Sequence, residues 1–280
     1  MKLTGKVAII TGAGRGIGRA IAIALAKEGA KVALASRTVS ELKETAQLIR
    51  EYHSQSIVIP TDVTEPTSVS EMVREPISQY GRVDILVNNA GIAGPIGALQ
   101  NNDIDDWIQT IQVNVVGPYL CCKSVVPLMA SQGGGKIINL AGAGANNAWA
   151  NLSAYCTSKA GVVRMTEVLA LELEGQNIQV NALGPGSIHT RMWEELQYGA
   201  ELANATEIQQ IGERVLSGGG ASLDSPAELA VFLASADSGK LSGRLISAVA
   251  DDYNHIASKI PEIMRSEAFT LRRLDLHQEG

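Results

Sequence analysis

The chain has 280 residues, 45% of them hydrophobic, enough to bury a sizeable core in one large α/β domain. Its formal charge of -6 comes with no long run of either sign, which excludes the electrostatic footprint of a nucleic-acid binder. Cys121, Cys122 and Cys156 have neither metal-ligand nor CxxC spacing, and His53, His189, His255 and His277 are scattered, so the cysteines read as reduced thiols and no metal is expected.

The N-terminal MKLTGKVAIITG runs straight into a strand pattern, leaving no room for a signal peptide, and no apolar stretch approaches the length of a membrane span; a cytoplasmic protein is expected. Short apolar runs then alternate with segments of helical period. The strand candidates are 7 to 10, 32 to 36, 56 to 60, 84 to 90, 136 to 140, 178 to 183 and 245 to 249. Between them lie helices such as GRAIAIALAKEGA and AYCTSKAGVVRMTEVLALELEG, the latter expected to close at Gly175. This alternation predicts an α/β fold: a doubly wound parallel sheet of about seven strands with helices on both faces, which explains why the strands are apolar throughout. No linker or repeat divides residues 1 to 280, so a single domain is expected. Residues 186 to 220 lack a strand period and end in SGGG, as a helical lid would. From Asp251 onward a C-terminal extension carries Ile256, Ile260, Ile263 and Met264 at helical spacing, with Pro261 restricting where such a helix begins.

TGAGRGIG, residues 11 to 18, follows the first strand and opens a helix, where glycines let backbone amides approach a pyrophosphate. Its Gly12, Gly16 and Gly18 have G-x-x-x-G-x-G spacing rather than the general G-x-G-x-x-G. At the end of the second strand stand Ser36 and Arg37, with no acid before Glu41; a guanidinium there suits a 2′-phosphate, and Arg15 can add a second charge. NADP(H) is therefore favoured, with NAD(H) left open.

This glycine spacing, NNAG at 88 to 91, Asn114, the Tyr155 and Lys159 pair, and PGSIHT at 185 to 190 together closely resemble the short-chain dehydrogenase/reductase (SDR) family, a Rossmann-type fold, over about residues 5 to 250. The resemblance implies that Gly12, Arg15, Gly16, Ile17 and Gly18 hold the cofactor phosphates, that Asp62 and Val63 contact adenine, and that Asn89, Ala90 and Gly91 pack beside the adenosine part. It also implies that Pro185, Gly186, Ile188 and Thr190 hold the nicotinamide end.

Tyr155 and Lys159 are i and i+4 on a helix and emerge on one face, where a neighbouring ammonium is expected to lower the phenol's pKa. By resemblance, Tyr155 exchanges the proton with the substrate oxygen, Lys159 binds the nicotinamide ribose and tunes Tyr155, and Asn114 helps hold a water linking Lys159 to solvent; a plain structural hydrogen bond is the alternative for Asn114. The family carries a catalytic serine where this chain has Gly142. Three readings follow: Asn146 or Asn147 supplies the missing donor, a bulky substrate uses the space, or the protein binds a dinucleotide with little chemistry, as a sensor or scaffold. Ser153 is read as a cap of the catalytic helix. Met192, Trp193, Leu196 and Tyr198 offer an apolar wall for substrate, with Asn146 beside it. The expected activity is hydride transfer between NADP(H) and a small-molecule alcohol or carbonyl, with a non-redox enzyme on the same fold as a further alternative. Family members resembling this chain form tetramers through the helices of Asn114 and Tyr155, so a homo-oligomer is expected, and the extension is expected to cover a substrate mouth or contact a neighbouring subunit, with Arg272 and Arg273 able to meet an acidic group.

Overall fold

Alternation of apolar side chains along seven short strands lets each strand feed two cores, and the computed structural model, which describes residues 1–273, is organised in that way. The strands are β1 (Val7–Thr11), β2 (Lys31–Ser36), β3 (Ser56–Pro60), β4 (Ile85–Asn88), β5 (Gly135–Leu140), β6 (Ile178–Gly184) and β7 (Leu245–Ser247). All pair in parallel, in the order β3-β2-β1-β4-β5-β6-β7. Ala8, Ile10, Leu34 and Val87 point into one core, Ile9, Ala33, Leu86 and Val180 into the other. The first core is covered by α1 (Gly16–Lys27), α2 (Val39–Arg50), α9 (Asp224–Ala234) and α10 (Tyr253–Ile263). The second is covered by α3 (Pro66–Tyr80) and α5 (Gly117–Ser131). The expected strands thus all form, with ends shifted by at most three residues.

Between β1 and β4 the chain changes direction across the sheet, and a crevice opens at the carboxyl ends of the strands there. Two of the remaining helices line it, each backed by another: α6 (Ser153–Glu172) with α4 (Ile104–Ile111) packed against it, and α7 (Arg191–Leu202) with α8 (Thr206–Arg214). The last two occupy the segment expected to be a lid.

Several local expectations need correction. Helix α6 does not run to Gly175; it ends at Glu172, and after a short turn the left-handed residue is Asn177, at φ 55°. Pro261 lies inside α10 rather than at its start and, lacking an amide, leaves the Ala257 carbonyl without its usual helical donor, while Asp252 caps the start by accepting from the amides of Asn254 and His255. Ile256, Ile260 and Ile263 are buried as expected, but Met264 falls beyond the helix and is exposed. The reading that no apolar stretch reaches membrane-span length also fails: α4, a π-turn at Gln112–Val116 and α5 join into one run, Ile104–Ser131, long and apolar enough by length and composition. One side of this run, including Val113, Cys121, Cys122, Val125 and Met129, packs against the sheet, which accounts for its apolar character.

The extension turns back along the outer edge of the sheet. The Leu245 amide of β7 donates to the Phe269 carbonyl at 2.8 Å, and Arg244 Nη2 donates to the carbonyls of Ile263 and Ser266 at 3.0 Å each. Glu167 of α6, its side chain 8% exposed, accepts from the Leu271 amide at 2.7 Å and pairs with Arg272 at 3.2 Å and with Arg164. Arg272 therefore meets acidic groups as expected, but on α6 and within the extension rather than at a substrate mouth. His277 lies outside the described residues. Replacing Glu167 with alanine leaves three donors without their acceptor and is expected to cost on the order of 2 kcal/mol, since hydrogen bonds to charged groups contribute roughly that much. Denaturant unfolding measures this directly, and turnover at 25 °C should be unchanged because Glu167 is not part of the crevice wall.

Candidate active site

The crevice encloses about 750 Å³. Its walls are the residues that follow β1, β2, β3, β4, β5 and β6, so every strand but β7 contributes from its carboxyl end. One end is built from glycines. A Cβ on Gly12 would lie 2.7 Å from Asn89 Nδ2 and 3.1 Å from Ala90 Cα, and one on Gly18 would overlap the Gly12 carbonyl. Asn89 holds this packing by donating to the carbonyls of Thr11 at 2.9 Å and Gly12 at 3.2 Å, while Thr11 Oγ1 accepts from the amides of Asn89 and Ala90 at 3.0 Å each. The cap residue of α1, Arg15, makes no side-chain cap bond and no acid stands in its first turn, so the positive end of that helix faces the crevice. On the adjoining wall, Ser36 Oγ is buried without a hydrogen-bond partner. A cradle too tight for side chains, an open helix N-terminus and an orphaned hydroxyl fit the pyrophosphate and ribose of a dinucleotide.

Arg15, Ile17, Arg37, Asp62, Val63, Ala90, Gly91, Pro185, Gly186, Ile188 and Thr190 also line the crevice, so the sequence-predicted cofactor residues converge on it. Burial works against the Asp62 carboxylate, but hydrogen bonds from the Thr64 amide and hydroxyl, together with the charge of Arg37, outweigh it and hold the pKa below the usual range.

The other end of the crevice is lined by Tyr155 and Lys159 of α6. Lys159 Nζ donates to the Leu140 carbonyl at 2.9 Å and stands 5.8 Å from the centre of the Tyr155 ring. Both side chains are buried, and the expected lowering of the phenol is not what the surroundings produce. Burial pushes the Tyr155 phenol up to about 12, with Cys156 adding to it, and burial pulls Lys159 down to about 8. Desolvation outweighs a cation set behind the ring and bonded to a carbonyl.

Asn114 sits in the π-turn, where one extra residue per turn swings its side chain out of α-helical register. Its Oδ1 accepts from the Ile92 amide and its Nδ2 donates to the Ile92 carbonyl and to Ser158 Oγ, all at 2.9 Å. Ser158 Oγ in turn donates to the Tyr155 carbonyl at 2.7 Å. Asn114 thus ties the loop after β4 to α6. A Cβ on Gly91 would meet Asn114 Oδ1 at 3.2 Å and Lys159 Nζ at 3.6 Å, so both polar groups face one point.

At Gly142 the space is already taken. A Cβ there would overlap the Tyr155 hydroxyl and lie 3.2 Å from Cζ. Asn146 and Asn147 are exposed and do not line the crevice; Asn147 Nδ2 donates instead to the Ala143 carbonyl at 3.2 Å. Neither supplies the expected donor to the crevice wall. Ser153 is the first residue of α6 and makes no cap bond; its Oγ accepts from Trp107 Nε1 at 3.1 Å. Met192, Trp193 and Leu196 do line the crevice, joined by Trp149, whose ring meets Trp193 edge-on at 6.4 Å; Tyr198 points away and is exposed.

A family profile described as short chain dehydrogenase matches residues 6–200. The chain belongs to this family. Among its relatives, an uncharacterized oxidoreductase of Thermotoga maritima is 37% identical over 234 residues, covering 83% of this chain and 89% of the relative. A 3-oxoacyl-(acyl-carrier-protein) reductase of the same organism is 35% identical over 246 residues, covering 88% and 97%. A crystal structure of NAD⁺-bound xylitol dehydrogenase superposes with a TM-score of 0.82 at 29% identity, covering 88% of this chain and 98% of that one. The protein is accordingly an oxidoreductase of the short-chain dehydrogenase type.

Sequence reasoning passed over Glu41, Arg191 and Trp149. In the sequence Glu41 is marked only as the first acid after Arg37, and its partners are 26 and 150 residues away in the chain, at Arg15 and Arg191. Trp149 is separated from the rest of the apolar wall by the whole of α6 and β6, and nothing local marks it.

Proposed function

We propose that this short-chain dehydrogenase moves a hydride between NADP(H) and an alcohol or carbonyl compound whose reacting carbon is flanked by an apolar group. The observation that carries this reading is the convergence of Tyr155 and Lys159 on Gly142, between the glycine cradle and the wall of Trp149, Met192 and Trp193. When bound, the nicotinamide supplies or accepts the hydride. Tyr155 gives its phenolic proton to the carbonyl oxygen in reduction and takes it back in oxidation. Lys159 places a cation behind the phenol and toward the nicotinamide ribose, and Asn114 fixes the loop and the helix that hold both. Arg37 and Arg15 beside Ser36, with no acid in the chain between β2 and Glu41, support NADP(H); the NAD⁺-bound neighbour keeps NAD(H) as the second reading. Exposed Ile104 and Ile108 on α4, Tyr119 on α5, and Val168 and Leu171 on α6 support assembly with further copies of the chain.

The test is NADPH oxidation against a panel of ketones, aldehydes and oxidised sugars, with Tyr155→Phe as matched control. Turnover that the substitution removes supports the reading; tight NADPH binding with no turnover across the panel supports the sensor or scaffold alternative.

The ionisations set a pH profile. With Tyr155 near 12 and Lys159 near 8, the phenol keeps its proton through neutral and moderately basic pH while the ammonium is present below about 8 and lost above it. For reduction, kcat/KM should be level at low pH and fall through about 8, and in Lys159→Arg, whose guanidinium stays charged, that limb should vanish. A wild-type profile flat to about pH 10 would remove Lys159 from the titration.

A further inference from the structure

Glu41, in the first turn of α2, lies across the crevice wall at the end of β2. One of its carboxylate oxygens, Oε1, is 3.2 Å from Arg15 Nη1 and 3.4 Å from Arg191 Nη2. The other, Oε2, leans over the glycine loop: the point where a Gly14 Cβ would lie is 3.2 Å from it and 3.3 Å from the unpartnered Ser36 Oγ. The Glu41 side chain is 20% exposed, whereas those of Arg15 and Arg191 are 48% and 53% exposed. Exposed ion pairs contribute little to stability. This carboxylate is instead packed into a ligand wall with its two arginines reaching in from different elements, the loop before α1 and the start of α7.

We infer that Glu41 is a resident anion at the subsite for the adenosine 2′ substituent and sets the balance between NADP(H) and NAD(H). The inference rests on the dinucleotide reading above. A 2′-phosphate is a second anion brought to two guanidiniums whose combined charge Glu41 already halves, and it must meet the Glu41 carboxylate at close range. A ribose hydroxyl meets no such repulsion, and it can donate to the carboxylate as it would to an acid at the strand end. Arg37, the third cation of this wall, is not paired to Glu41 and remains the group that attracts the phosphate. The charge pattern therefore works in both directions: Arg37 admits the phosphorylated cofactor, and Glu41 limits its advantage.

The experiment measures binding of 2′,5′-ADP and 5′-AMP by calorimetry, at one fixed salt concentration, to the wild type, Glu41→Gln and Arg37→Ala. Glu41→Gln keeps the shape and removes the charge. It should raise the preference for 2′,5′-ADP over 5′-AMP about tenfold or more, chiefly by tightening 2′,5′-ADP, and the ratio of NADPH to NADH affinity should move the same way. An unchanged ratio would make Glu41 a surface ion pair and overturn the inference; equal weakening of both ligands would make it a scaffold of the glycine loop and overturn it too. The NADP(H) reading stands or falls separately, on whether wild type prefers 2′,5′-ADP and loses that preference in Arg37→Ala.

Discussion

Turnover in Tyr155→Phe should fall at least about 10³-fold while NADPH binding stays within about twofold of wild type. On the proposed mechanism the phenol is the proton donor, and general acid catalysis by a positioned group contributes roughly 10²- to 10⁴-fold. The upper part of that range applies because Asn146 and Asn147 are turned away and Gly142 has no side chain, so no second side-chain donor from this loop shares the load. The ring itself packs with Leu152, Ala93 and Trp193, and phenylalanine preserves that packing. Steady-state rates and the quenching of protein fluorescence by NADPH separate the two effects. A loss of cofactor affinity equal to the loss of rate would show that Tyr155 holds the fold of the crevice rather than the proton.

The second large effect concerns Gly142, and its direction runs against simple restoration of a missing hydroxyl. Because a Cβ at this position would overlap the Tyr155 hydroxyl, Gly142→Ala must displace the phenol, and misplacement of a reacting group by about 1 Å can cost on the order of 10²-fold. Gly142→Ser carries the same Cβ and is expected to fall with alanine rather than rise. Comparing kcat for the three proteins with one substrate decides the matter. A serine variant faster than wild type would mean that the glycine is a lost part of the site; the expected loss would mean that the phenol has taken over the space.

Much of this arrangement was legible because the chain writes it locally. Buried on both faces, the strands are apolar runs such as VAII and KIINL, and β1 leads into a glycine loop suited to a phosphate at a helix start. Tyr155 and Lys159 share a helix face by their spacing alone. What could not be read depends on contacts between distant segments. The pKa of Tyr155 follows from how completely the fold buries it, and Asn114 reaches Ile92 only because α4 and α5 are joined through a π-turn. Gly175 looked like the natural end of α6, yet the left-handed position fell to Asn177, whose Nδ2 bonds to the Gly133 carbonyl at 2.8 Å across the sheet's lower rim.

The chain beyond α10 has a consequence for how copies of this protein can meet. An outermost strand normally offers a row of free amides and carbonyls on which a foreign strand can crystallise into the sheet. Here β7 is only three residues long and its Leu245 amide is already satisfied by Phe269, while at the opposite margin β3 ends in Pro60, which has no amide to give. With both margins blunted, growth by strand addition is discouraged, and encounters between copies are left to the helical flanks, where contact depends on side chains and is therefore selective.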